Sequence, residues 1–205
     1  MADNIKVYAR FRPLVGRDLR LSASARAAAF SVTDNSIRLN NANGKGRAKQ
    51  AASVGGGGSG KADSNGAAAF SFDDVFGPTT TQQDLHDRVG RVGVQQLLEG
   101  YNSTILTYGQ TGSGKTFSMY GDEGTCWKDW DQDELPTDHG LVPRVVASLL
   151  DEIAERHARN SEIQYVITCS FLEIYNETIK DLFDPSTKKK VKTSKLRLRT
   201  LRLFA

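Results

Sequence analysis

Cysteine is scarce: Cys126 and Cys169 are the two in the chain, too few for a disulfide framework. The three histidines, His86, His139 and His157, have no partner at triad or metal-ligating spacing, so no metal cluster is expected and surface or capping roles are. No apolar run approaches the ~18 residues of a membrane span. The opening residues, Met1-Ala2-Asp3-Asn4-Ile5-Lys6, lack the apolar core of a secretion signal. These absences argue against a disulfide-stapled secreted domain and a helical membrane protein, and for a reducing, cytoplasmic setting. Acidic residues are missing from one place. Residues 188–205 hold eight Lys or Arg and no Asp or Glu, leaving nineteen basic against twenty-four acidic residues elsewhere. The net charge of +3 thus joins a mildly acidic body to a strongly basic end.

What is present is an ordinary globular composition over 205 residues, enough for one domain or a small pair. Ile5-Lys6-Val7-Tyr8-Ala9-Arg10-Phe11 alternates apolar and polar side chains, which predicts a strand ended by Arg12-Pro13. From Asn40 to Ala69 small and polar residues dominate, with Val54 the one branched apolar side chain. Such a stretch buries too little surface to offset its ordering entropy, so 40–69 reads as a flexible insert. Order resumes at Phe70–Phe76 and turns at Gly77-Pro78.

Thr79 to Thr81 offer helix N-caps, and Leu85, Val89, Val92 and Gln96/Leu97 occupy helical spacing beyond them, with Gly100 placed for the stop. Gly90 and Gly93 weaken that helix. A short strand, Ser103–Tyr108, and a Gly-rich loop come next. Residues 121–138 are polar, with Trp127 and Trp130, and read as an exposed loop. A second helix carries Pro143 in its first turn and a stripe of Val142, Val146, Leu149 and Ile153; Glu152–Arg156 and Glu155–Arg159 are i,i+4 pairs. Ile163–Tyr175 is apolar on both alternating faces, which predicts a long, twice-covered strand. Strands alternating with helices make the class α/β.

The loop is Gly109-Gln110-Thr111-Gly112-Ser113-Gly114-Lys115-Thr116. Its glycines let backbone N–H groups converge on a phosphate, and the helix beyond adds the positive end of its dipole. In such a loop Lys115 reaches the β- and γ-phosphates and the Thr116 hydroxyl ligates Mg²⁺. A strand before and a helix after give the motif its required context, so an ATP or GTP site is expected. Gly55 to Ala62 (GGGGSGKA) has the same spacing, but it ends in Ala62 where Mg²⁺ needs a hydroxyl, and no strand is expected before it and no helix after it. It reads as a linker.

Five segments taken in order resemble the kinesin motor domain: IKVYARFRPL (5–14), FSFDDVFGPTTTQQDL (70–85), EGYNSTILTYGQTGSGKTFSM (99–119), HGLVPRVV (139–146) and SFLEIYNETIKDLFDP (170–185). The resemblance covers residues 4–185 as the N-terminal part of a motor domain. It implies a P-loop NTPase fold of the kinesin type, with a central sheet flanked by helices, and ATP with Mg²⁺ as the bound species. It also implies microtubules (tubulin) as the partner, rather than a membrane or nucleic acid, and a cytoskeletal location.

Position by position, the resemblance assigns Arg10, Arg12 and Pro13 to the element flanking the adenine, and Phe117 to the base's other face. Taken without it, the same residues read as solvated strand positions (Arg10, Arg12) and plain core (Phe117). Glu173, Tyr175 and Asn176 resemble a structural segment of the family, which implies strand-end packing rather than catalysis.

Two family elements are not in the chain: one like NxxSSRSH, which closes on the γ-phosphate, and one like DLAGSE, which supports Mg²⁺. Catalytic residues therefore stay unassigned. In the family, late strands lie between the early ones, so an incomplete sheet and an aggregation-prone chain are expected. The basic stretch 186–205 reads as an interrupted reading frame or a truncated gene model. Its rivals are a genuine basic tail for an acidic partner and a KKKVK-type nuclear signal. Against the motor reading stands a module of the same descent that binds nucleotide or a partner without turnover.

Overall fold

The computed structural model describes residues 5–14, 30–33, 35–39, 60–62, 68–122, 137–183 and 199–203. The chain divides into two compact units, Met1–Val145 and Val146–Ala205. In chain order the first holds β1 (Tyr8–Arg10), β2 (Phe30–Val32), β3 (Ser36–Leu39), β4 (Gly60–Ala62), β5 (Ala68–Ser71) and β6 (Asp74–Phe76). Next come α1 (Gln82–Leu85), a π-helical stretch His86–Gly90, α2 (Arg91–Leu98), α3 (Lys115–Tyr120) and the first turn of α4 (Leu141–Arg159).

β1 and β6 pair in parallel, with Ala9 opposite Val75. The Asp73 carboxylate ties their entry by accepting from the Val7 N–H at 2.7 Å. A second, antiparallel sheet runs in the order β2-β3-β5-β4. β4 and the start of β5 fall inside the 40–69 stretch expected to be flexible; the rest of that stretch lies outside the described residues. Pairing needs only backbone donors and acceptors, and β5 is itself held in register on β3 by Phe70 opposite Ile37.

The core of this unit is Phe76, Leu85 and Leu141, with Tyr8, Val89, Ile105 and Met119 packed against it. α1 begins with a capping box: Thr81 accepts from the Asp84 N–H, and the Asp84 carboxylate accepts from the Thr81 N–H. At the far end, the Gly100 N–H bonds the Leu97 carbonyl and the Tyr101 N–H bonds that of Gln96, a Schellman stop with Gly100 at φ +92°.

The helix between these caps departs from the straight α spacing. Leu85 and Val89 face the core as expected, but Val92 is 46% exposed and Val94 is buried at 3%. The π turn adds a residue, so the buried stripe steps by five from Val89 to Val94. Gly93 is where the helix meets its neighbour: a Cβ there would lie 3.1 Å from the Ser103 hydroxyl oxygen.

Ser103–Tyr108, expected as a strand, carries no ladder. Ile105 reaches the core, while Leu106 and Tyr108 are 85% and 95% exposed. A strand needs a neighbour on its edge, and no described strand is hydrogen-bonded there. The central sheet is incomplete at this point.

In the second unit, α4 buries Ile153 and carries the Arg159–Glu155 ion pair at 2.9 Å, whereas Val146 of the expected stripe is 41% exposed. The long strand expected over 163–175 is two: β7 (Tyr165–Cys169) pairs antiparallel with β10 (Arg199–Leu203), and β8 (Leu172–Tyr175) with β9 (Thr178–Asp181). Nor is it covered twice, since Val166 is 60% and Ile174 73% exposed. β8 bends into a hairpin at Asn176 and Glu177, whose φ values of +48° and +57° are those of a two-residue primed turn. Glu173 pairs across it with Lys180 at 2.8 Å, and Tyr175 lies largely exposed rather than packed. β10 falls within the basic stretch.

Candidate functional site

The Gly109–Thr116 loop comes directly after the unladdered segment and opens α3. Gly112 and Gly114 have φ of +78° and +96°, in the left-handed region that L side chains rarely adopt. These dihedrals curl the chain so that the Ser113 N–H turns back onto the Gln110 carbonyl at 3.1 Å. The Lys115 ammonium donates to the carbonyls of Gly109 and Gln110 at 2.9 and 2.8 Å, folding over the loop it belongs to. Helical bonding starts at once, with the Ser118 N–H on the Gly114 carbonyl at 2.9 Å.

A cavity of about 390 Å³ lies beside this loop. Ser113, Gly114 and Lys115 line it, and so do Arg10, Arg12, Pro13 and Phe117. Gly109, Gln110, Thr111, Gly112 and Thr116 do not line it, and Thr116 is exposed at the second position of α3. Seven of the twelve residues expected from sequence thus meet at this cavity, from the end of β1 and the start of α3, and five do not.

Arg10 is half-buried, and burial draws its guanidinium pKa below the ordinary value. One nitrogen, Nη1, donates to Gln82 Oε1 at 3.0 Å and to the Ser118 hydroxyl at 2.9 Å. The guanidinium carbon lies 5.5 Å from the centre of the Phe117 ring, a cation–π contact worth about 0.5–1 kcal/mol. Arg10 is therefore no solvated strand residue, and Phe117, 40% exposed, is not plain core. Arg12 and Pro13 are exposed at the rim.

Sequence reasoning missed Gln82 and Ser118, which hold Arg10 in place. The one available signal was a polar residue directly after the cap at Thr81, on a turn whose next apolar residue, Leu85, is buried. It also misplaced two histidines. His86 and His139 are buried at 3% and 0% exposure, while His157 Nδ1 lies 3.0 Å from the Ile163 carbonyl, in the connection beyond α4. Arg144 is another buried group, binding the carbonyls of His139 and Thr137 and the Gln83 side chain. Trp127 and Trp130 lie outside the described residues.

Comparison with known proteins now adds to this geometry. A family model, the kinesin motor domain, matches residues 10–202, past residue 185 and through most of the basic stretch. Kinesin-related protein 2 of Dictyostelium discoideum is 35% identical over 193 residues, 90% of this chain and 20% of that protein. Kinesin-like protein KIN-12B of Oryza sativa subsp. japonica is 45% identical over 118 residues, 57% of this chain and 10% of that protein. The chain thus spans a small part of the curated relatives it matches. Among solved structures, the Drosophila kinesin family member Kin10/NOD in complex with divalent manganese and ADP superposes with a TM-score of 0.63 at 23% identity. That match covers 98% of this chain and 55% of the other. NOD has also been docked with bovine tubulin into a map of its nucleotide-free complex with the microtubule, again with a TM-score of 0.63, at 22% identity. Motifs, fold and similarity agree, and the chain belongs to the kinesin motor domain family.

Proposed function

We propose that this chain is the ATP-binding portion of a microtubule motor, whose full-length form hydrolyses ATP to move along microtubules in the cytoplasm. The observation that carries the reading is the convergence, on one cavity, of a positive-φ glycine loop with Arg10, Pro13 and Phe117. In it Gly109–Thr116 holds the phosphates through backbone N–H groups, and Lys115 adds a full positive charge. Three donors on its ammonium leave capacity for a phosphate oxygen beyond the two loop carbonyls. Thr116, exposed at the end of the loop, supplies a hydroxyl to Mg²⁺. Arg10, Arg12, Pro13 and Phe117 form the end that takes the adenine. Bound Mg-ATP brings the scissile phosphate anhydride; the residues named here bind and orient it.

Titration of the chain with Mg-ATP tests the binding half. Saturable binding that weakens on chelation of Mg²⁺ is expected, and absence of binding by a folded chain overturns the reading. For the full-length protein, ATP turnover that rises with added microtubules is expected. ATP binding without turnover would instead identify a non-motor module.

A further inference from the structure

Gln82 is 3% exposed, and its side-chain amide is used at both ends. Oε1 accepts from Arg10 Nη1 at 3.0 Å, and Nε2 donates to the Phe117 carbonyl at 2.6 Å. The two partners fix the orientation of the amide, because a guanidinium has only donors and a carbonyl only accepts. Gln82 thus joins the end of β1 to the first residues of α3, from a turn that the Thr81–Asp84 box holds rigid. Arg10 cannot swing from the Phe117 ring without giving up a buried partner, and α3 cannot slide along β1 without breaking the other bond.

We propose that Gln82 is a positioning residue for base recognition. It acts through Arg10 and Phe117 to keep the base end of the cavity open and in register for a planar purine, while the Lys115 ammonium is held by carbonyls of its own loop. The proposal rests on the nucleotide-binding reading above.

The test compares ATP with inorganic tripolyphosphate, which offers the same phosphate chemistry without a base, in Mg²⁺ titrations of the whole chain. Gln82→Met keeps the side-chain length and removes both hydrogen bonds. It is expected to weaken ATP about tenfold, the usual consequence of losing a bond to a charged group, and to leave tripolyphosphate within about twofold. In an Arg10→Met background the same substitution should add almost nothing to the loss. Equal weakening of both ligands, or of neither, overturns the proposal. A wild-type chain that binds neither overturns the nucleotide site itself, and this with it. Should Gln82→Met fail to fold, Gln82→Leu decides, since it removes the same two hydrogen bonds with a differently shaped apolar side chain. A selective loss of ATP over tripolyphosphate supports the proposal, and equal weakening of both ligands, or of neither, overturns it.

Discussion

Two stretches of this chain satisfy the same spacing of glycines and lysine, and they fold into different things. Gly114-Lys115-Thr116 turns out of a left-handed glycine into α3, with the lysine folded onto its own loop carbonyls. Gly60-Lys61-Ala62 is β4, an edge strand laddered to β5. The difference lies in the backbone around each lysine. A helix start leaves N–H groups without intrahelical partners, available to an anion, whereas a strand commits part of its backbone to its neighbour. The sharpest way to break the comparison is to remove each lysine. Lys115→Ala should weaken Mg-ATP by roughly ten- to a hundredfold, the loss of a hydrogen bond between charged groups, while Lys61→Ala leaves the titration unchanged. Equal effects, or none at Lys115, would mean that the loop is not the phosphate site.

Backbone conformation is the second point of contrast. Gly114 sits at φ +96°, and a Cβ added there would lie 3.9 Å from the nearest atom, Arg12 Cβ, an ordinary contact. Any cost of Gly114→Ala is therefore conformational, about 1–2 kcal/mol for an L residue held left-handed. Either the variant loses this much stability, seen as a lower melting temperature, or the loop relaxes and ATP affinity falls by about tenfold. An unchanged melting temperature together with unchanged affinity would show that the turn is not needed.

The Gly109–Thr116 loop could be found in the sequence because its glycines, lysine and threonine are local, and its surroundings repeat family segments in order. The cap at Thr81 and the stop at Gly100 were legible for the same reason. What escaped depended on partners distant in sequence. Nothing near position 82 signals that an amide will bridge Arg10 and Phe117, and nothing in Val92 or Val94 announces the π turn that exchanges their faces. The ladder at Ser103–Tyr108 failed for want of a neighbour, not for want of strand residues. The 163–175 run looked doubly covered because apolar composition reports capacity for burial, and the covering layer has to come from elsewhere.

The cap offers a smaller test of the frame that distinguishes the two stretches. Thr81→Ala removes the side-chain oxygen that accepts from the Asp84 N–H and leaves the Asp84 carboxylate with the backbone half of the box. A loss of about 1 kcal/mol is expected, read as a modest fall in the denaturation midpoint. ATP affinity should fall along with it, because the cap holds the turn that carries Gln82. A stability loss without any change in affinity would separate the frame from the site.

The smallest effect is set by His86, in the π stretch behind that turn. Burial holds its imidazole pKa below the ordinary value of 6.5, against a partly opposing attraction from Asp87. The sign comes from proton counting. Between the ordinary and the lowered pKa the unfolded chain takes up a proton that the folded chain refuses, so νU exceeds νN and stability rises with pH. The contribution is complete above the ordinary value and is lost as pH falls through the window below it. The melting temperature should therefore drop on going from neutral to mildly acidic buffer, and His86→Leu should flatten that drop. β4 has no corresponding group in its strand, so Lys61→Ala should leave the profile as steep as wild type. If His86→Leu proves equally steep, the acid sensitivity belongs to other groups, and the π turn tolerates a charged imidazole.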